Sequence, residues 1–566
     1  MPAVHTSVRR LAELRSDFCR AATREKIQLL EFLEAAKIHS VATLNRLHQT
    51  LLFICAFPDS VQTRTLAASL LDRFHARIAG LPRRMRERMD ETGVAGTTIH
   101  YRYSLDVARW LVAHCPGRVT IDWDDFEKTE ILDEILSLTL APAEDTAFSE
   151  GDYSTQEWLD LARGASNETD FDWLVRRMAS EPRLRATAKD LFDDADLPVI
   201  WKLEDNAASI SRNRLDLTRV VYRSGFRRPP SNPGRWMATP LAGIRRLSLK
   251  EGRRVIDVAQ AALVSRHREV FSMNVGDPAE VWLAPLGEGA HVAVFGVKRE
   301  ARPVIEGNYG YLLLSNGVPI GYGGVSPLFS QGNTGINIFD AYRGSEAAFL
   351  FGQTLRAFRT LFDCDHFIAN PYQFGAGNDE AIGSGAFWFY YRFGFRPVEA
   401  KVAKLAEKEY QKLRARSGHR SDRKTLRELA TCDLILSLPG AKRSTFFPER
   451  RLIQLSEGAT RLIAKRGGRT RRAAIASVVN DVARTLGARS RSTWPKGQRD
   501  GFERLAPIVA LVSDLQMWPA REKRRLIELM RAKGADEGRR FARLLASNER
   551  LRRALAKVCS RYKVVR

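Results

Sequence analysis

Two short stretches of this chain combine residue types that can do chemistry. The first is INIFDAYRGSEAAFLFGQTL (336–355), where β-rich residues give way to a helical pattern. At the changeover stand Arg343, Gly344, Ser345, Ala347 and Ala348. The first turn of a helix carries unsatisfied N–H groups and partial positive charge, so it can cradle a phosphate. Small residues there let a ligand approach the backbone, and Arg343 adds a full charge. The second stretch is GAFWFYYRFGFRP (385–397), with five aromatics among six residues before a glycine. A packed helix needs only a stripe of apolar residues. Either this is a crowded core helix, or its Tyr390 has work to do. Other chemistries find no support. The ten histidines form no HExxH or other metal-ligand spacing, so no metal site is expected. Ser384 lies in AIGSGAF, which is not a nucleophile elbow, and no Walker or dinucleotide fingerprint occurs.

The elements that must position these residues are legible in outline. HVAVFGV (291–297), YGYLLLSNGVPIGYGGV (309–325) and TGINIFD (334–340) read as strands. Asn316-Gly317 between two apolar runs predicts a tight hairpin, because both residues readily take positive φ. Ala347, Leu350, Phe351, Thr354, Leu355, Phe358, Leu361 and Phe362 form a helical stripe. HFIAN (366–370) reads as a buried strand. Asn378 suits the N-cap of a helix running from Asp379 to Phe393, which Gly394 ends before a last strand at FRPV. The order from 291 is β-β-β-β-α-β-α-β, preceded by a helix at 249–266 and by a Pro- and Gly-rich connection at 226–240. Residues 1 to about 195 and those beyond 400 show helical spacing.

The central segment resembles the GNAT superfamily of acyl-CoA N-acyltransferases, over roughly 245–400 and most strongly over 309–398. The resemblance rests on the NGVPIGY hairpin, the 336–355 segment and the Tyr390…Gly394-Phe395 helix end. In that family the helix start carries Arg/Gln-x-x-Gly-x-Gly/Ala, and here Arg343 and Ala348 occupy the ends of the pattern. The resemblance implies acetyl-CoA or another acyl-CoA as co-substrate, with its pyrophosphate at Arg343, Gly344, Ser345, Ala347 and Ala348. It also implies that two central strands splay around pantetheine, and that a backbone N–H near Ile338 or Phe339 polarises the thioester. Tyr390 would give a proton to the departing thiolate. Glu380 and Asp340 are alternative bases for the amine, each more readily read as a surface acid or cap partner. Tyr372, Gln373 and Asn378, in NPYQFGAGND (370–379), either shape an acceptor pocket or form a structural turn. One position departs from the family: Glu346 stands where glycine is usual. A carboxylate there repels pyrophosphate unless its side chain points away.

Bulk properties frame this centre. At 566 residues the chain is long enough for several domains. Its six cysteines are scattered without a CxxC, and MPAVHTSVRRLAEL lacks the apolar core of a signal peptide, so a reducing cytoplasm is expected. The net charge of +24 is unevenly placed. Residues 401–566 hold 42 Lys/Arg against 16 Asp/Glu, whereas 122–196 hold 7 against 21. A basic third of this kind has an anionic partner: nucleic acid, an anionic membrane surface, or the chain's own acidic 122–196 segment. The expectation is thus an α+β protein. A mainly helical region (1–225) precedes a mixed-sheet GNAT-like domain (245–400), and a basic helical domain (401–566) follows. Transfer of an acyl group, acetyl first, to an unidentified amine is the expected function. The alternative is a non-catalytic GNAT fold that binds nucleic acid or another anion.

Overall fold

The computed structural model describes residues 4–184, 187–217, 219–416, 418–441 and 446–560. The fold is α+β, with two sheets among the described residues. The smaller sheet joins β1 (Thr98–Arg102), β2 (Val119–Ile121) and β3 (Pro198–Lys202), all antiparallel with β3 central. The rest of the first 195 residues is mainly helical, as the spacing predicts, and these three short strands add a small sheet to it.

The large sheet contains β4 (Arg245–Arg246), β5 (Gly276–Gly287), β6 (Ala290–Val297), β7 (Tyr309–Ser315) and β8 (Val318–Leu328). It continues with β9 (Gln331–Thr334), β10 (Asn337–Ile338), β11 (His366–Ala369), β12 (Arg396–Pro397) and β13 (Leu434–Ser437). Its order is β12-β13-β11-β9-β8-β7-β6-β5-β4, with β10 also on β8. The tight turn is where Asn-Gly predicts it: Asn316 and Gly317 have φ of +47° and +83°. The turn is enclosed, with Asn316 Nδ2 donating to Ala56 O at 3.1 Å and its Oδ1 accepting from Val221 N at 2.8 Å. A capping box at Ser248 and Glu251 starts the helix Leu249–Val264. The helix expected over Asp379–Phe393 is two helices, Asp379–Ser384 and Ala386–Phe393, parted at Gly385 with φ +66°. Strand β5 escaped sequence reading because Pro278 and Pro285 interrupt its alternation.

Hydrophobic contacts divide the chain differently from 1–225, 245–400 and 401–566. One core runs from the first helices, through Val94, into the large sheet and on to Leu438. A second encloses the small sheet, from Ile99 to Ala208, and takes in Ala261 and Val264 of the helix Leu249–Val264. A third fills the basic region from Phe447 to Cys559, with Ile305, Leu328 and Phe329 contributed by the sheet side. The cut at 400 in fact falls inside the large sheet, since β13 inserts between β11 and β12. The basic third rests on that sheet. Arg302 donates to Ala535 O at 2.6 Å and to Asp536 O at 3.0 Å, and Arg539 Nε donates to Leu361 O at 3.1 Å. Within the acidic segment, Asp170 accepts from Ile121 N at 3.1 Å and from Trp123 Nε1 at 2.8 Å.

Candidate functional site at a strand divergence

Strands β9 and β11 run parallel over three pairs, His366 with Gln331, Phe367 with Gly332 and Ile368 with Asn333. They then part. Strand β10 stays on β8 through Asn337–Tyr322 and Ile338–Gly321, while the chain beyond Ala369 turns into Pro371–Phe374. At the opening Tyr311 donates to Gly335 O at 2.5 Å. Ile336 N–H donates to the Tyr390 hydroxyl oxygen at 3.4 Å. Gln373 reaches across from the β11 side. A Cβ on Gly335 would stand 1.9 Å from Gln373 Oε1, so glycine makes room for it.

Tyr390 sits in a crowded aromatic core. It is 2% exposed, and the rings of Phe351, Phe374, Phe389 and Phe395 surround it. Burial pushes its pKa far above that of a free phenol, so it holds its proton at neutral pH. Since its oxygen accepts from Ile336, its own hydrogen is left to donate. The backbone amide at the opening is therefore Ile336, a correction to Ile338 and Phe339. Phe339 N–H is spent on Ile320 O at 3.0 Å, and Ile338 sits in the ladder opposite Gly321.

Beyond the opening the chain reaches the helix Ala347–Phe362, whose first amides no side chain caps. Gly344 has φ +84° with open space where a Cβ would stand, and the half-buried Ser345 has an enclosed hydroxyl without a partner. Glu346 does not face this loop. It is buried, pairs with the buried Arg223 and accepts from Arg227 N at 3.0 Å. Arg223, just before the connection at 226–240, thus neutralises the misfit glutamate, which sequence spacing could not show across 123 positions. Ala347 and Ala348 remain half-buried at the helix start.

Arg343 is exposed, with Asp340 at 2.8 Å and Glu380 at 2.5 Å. Glu380 is therefore no enclosed base: its side chain is 61% exposed and tied to Arg343. Of Tyr372, Gln373 and Asn378, Gln373 is the one that meets the opening. Asn378 caps the next helix, accepting from Ala381 N at 3.0 Å, and donates to Tyr372 O at 3.1 Å. Tyr372 is exposed. The structural-turn reading describes these two residues.

Directly after β10, Phe339, Asp340 and Ala341 form one wall of a cavity of about 310 Å³. Its other walls come from the helix Val41–Ala56 (Asn45, His48, Gln49), from residues 91–94, and from Ser265–Arg268. No local pattern could have revealed it, because these segments are separated by up to about 300 residues of chain and meet only through folding. Arg266 lies over the Phe339 ring at 4.0 Å, and Arg268 donates to Tyr322 Oη at 3.0 Å. Burial, with help from Arg266, lowers the His48 pKa to about 3, so this imidazole is neutral. Its Nε2 is 2.8 Å from Ser211 Oγ.

Compared with known protein families, curated proteins and solved structures, the chain finds no match. Among the described residues no group of three His, Cys, Asp or Glu side chains is placed to hold a metal ion. No described helix is long and apolar enough to cross a membrane.

Proposed function

We propose that the chain transfers an acyl group from acyl-CoA, acetyl first, to an amine, on a GNAT-like sheet. One observation carries this reading: the parting of β9 and β11 around Gly335-Ile336, with the buried Tyr390 hydroxyl 3.4 Å from the Ile336 amide. Parallel strands that separate expose backbone groups which a polyamide such as pantetheine can bridge. The uncapped helix start, Gly344 and the unpartnered Ser345 hydroxyl suit a pyrophosphate at the exit.

In the reaction the amine nitrogen attacks the thioester carbonyl carbon. The C–N bond forms, the C–S bond breaks, and Tyr390 gives its proton to the leaving sulfur. The Ile336 N–H bond stabilises the phenolate until it recovers a proton from water, which also takes the proton lost by nitrogen. Gln373 must swing off Gly335 to admit the substrate. Arg343 must exchange a carboxylate for a phosphate.

Calorimetric titration with acetyl-CoA and CoA, at low and moderate salt, tests this. Saturable one-to-one binding is expected, weakened in Arg343→Ala and kept in Tyr390→Phe, with turnover in an amine screen lost in Tyr390→Phe. Absent binding, or binding that disappears with salt and ignores Arg343, overturns it.

A second, non-catalytic reading is nucleic-acid binding through the basic third, favoured by one local feature. Lys465, Arg466, Arg469, Arg471 and Arg472 are exposed at the turn between the helices Arg450–Arg466 and Arg471–Leu486. The second helix begins with two arginines and has no acid in its first turn, against its own dipole. Such placement serves an anionic partner better than it serves stability. Salt-dependent binding of a labelled RNA or DNA oligomer, lost in Arg469→Glu/Arg471→Glu/Arg472→Glu, is the expected result. Unchanged binding in that variant removes this reading.

A further inference from the structure

The unit around the small sheet meets the rest of the molecule along a seam set with histidines. The helix Leu249–Val264 belongs chiefly to the first core and lends Ala261 and Val264 to the second. Around it, four of the ten histidines stand beside carboxylates. His114 ends the helix Leu105–His114 of the small unit, and its Nε2 lies 3.2 Å from Asp257 of Leu249–Val264. His75, in the helix Phe74–Ala79 of the first core, has its Nδ1 3.4 Å from Asp205, just beyond β3. Glu91 sits between Met89 and Val94 of the first core. One of its oxygens is 2.8 Å from Nδ1 of His100 on β1, and the other is 2.9 Å from His267 Nε2. Three of these pairs therefore cross the seam, and His267 joins them through Glu91.

The histidine side chains are between 24% and 47% exposed, so protons reach them. Histidine is the side chain whose ordinary value lies near neutrality. Below that value each imidazolium faces a carboxylate, and above it the attraction falls to a neutral contact. For His114 the hydrogen bond to Asp257 raises the pKa above the ordinary 6.5, against partial burial. The docked state thus keeps this proton longer. Its contribution is full below 6.5 and is lost as the pH rises through the raised value. The remaining charges at the seam are carboxylates and guanidiniums, whose ordinary values lie far from neutrality. Arg212 donates to Asp205 at 2.7 Å, Asp90 accepts from Thr98 N at 2.8 Å, and Glu269 accepts from Ser104 N at 2.9 Å. Arg266 and Arg268 flank His267, whose ring lies 5.3 Å from that of Tyr101. Glu91 and His267 have φ of +66° and +55°, left-handed backbone that costs a residue other than glycine and persists where its surroundings require it.

We infer that this seam is a pH-sensitive latch: protonated histidines hold the small-sheet unit against the helix Leu249–Val264, and their neutralisation lets the seam open more often. Apolar contact through Ala261 and Val264, with Tyr103 Oη donating to Val264 O at 3.1 Å, persists at every pH. The latch therefore changes how often the seam opens and does not undo the fold. Glu91 and His267 also line the cavity behind Asp340, so each opening alters a wall beside the candidate site. The latch stands independently of the acyltransferase reading.

Hydrogen exchange of the full chain at about pH 6 and about pH 8, corrected for the intrinsic rate at each pH, tests this. The readout is two amides along the seam, Gly96 N donating to Glu204 O at 2.7 Å and Ile210 N donating to Gly93 O at 2.9 Å, with β6 as internal reference. Opening should rise roughly tenfold from the lower to the higher pH, three exposed pairs acting together, while β6 stays unchanged. His75→Gln/His100→Gln/His114→Gln should remove the pH dependence and leave the seam at its high-pH opening. If that variant fails to fold, Glu91→Gln/Asp257→Asn withdraws carboxylate partners instead and should flatten most of the response. Equal exchange at both pH values in the wild type, opening that falls with rising pH, or an unchanged response in the variants overturns the latch.

Discussion

Glu346 shows how much of a residue's meaning lies outside its local motif. Beside Arg343 and Gly344 it looks like a charge that would repel a phosphate. In the fold it is buried against Arg223, which also faces the Phe57 ring at 5.4 Å. Removing one member of a buried pair strands the other, at a cost of about 3–5 kcal/mol. Glu346→Ala should therefore lower stability by about that amount in chemical denaturation. The double change Arg223→Met/Glu346→Leu should recover most of the loss, because it removes both charges while keeping the volume. Equal stability of Glu346→Ala and wild type would mean the pair does not form. Tyr390 was readable as a candidate because aromatics flank it and glycine follows. The depth of its burial and its Ile336 partner were not readable, since both come from Phe351, Phe374 and β9–β10.

Elements with strong local signals were legible: the Asn316-Gly317 hairpin, the helix Ala347–Phe362 and strand β11. Those that depend on distant partners were not. Strand β13, LILS, is four residues long and becomes a strand because β11 and β12 flank it. In the basic region, the closest helix approach depends on three glycines as well as on the apolar stripes that marked the helices. A Cβ on Gly534 would stand 1.8 Å from Gly497 O, and one on Gly501 would stand 2.3 Å from Gly534 N. Backbone lies directly against backbone there. Gly534→Ala must push the helix Lys496–Val509 away from the end of Ala520–Ala532, at a cost of about 1–3 kcal/mol or more. Thermal melting should drop by several degrees, and Gly418→Ala, where a side chain meets open space, serves to compare. Because Gly418 has φ +85°, only its backbone strain should register. An unchanged melting curve for Gly534→Ala would refute this packing.

At the scale of the whole molecule, the basic third is fastened to the large sheet through buried charge. Glu280, on β5, accepts from Arg302 Nη2 at 3.1 Å and from Arg539 N at 2.7 Å. Burial raises its pKa to about 7, against the opposing pull of Arg302. The folded value lies above the unfolded one, so between them the native state keeps a proton that the unfolded state has released. This stabilising contribution is full below the unfolded value near 4.5 and is lost as pH rises through about 7. Melting temperature measured from pH 5 to about 7.5 should fall with rising pH, and Glu280→Gln should flatten that fall. An identical slope in Glu280→Gln would remove Glu280 as its source.

The sequence by itself determined the mixed α+β class, the hairpin and helix around the candidate site, and the concentration of positive charge in the last third. Each depends on neighbours in the chain, through periodicity, turn chemistry or composition. The tertiary structure alone decided where Glu346 points, which amide meets Tyr390 and where the cores divide. Those depend on groups brought together across 54 positions, as Ile336 and Tyr390 are, or 123, as Arg223 and Glu346 are. Burial and pairing in three dimensions set their energies, and no local spacing encodes them.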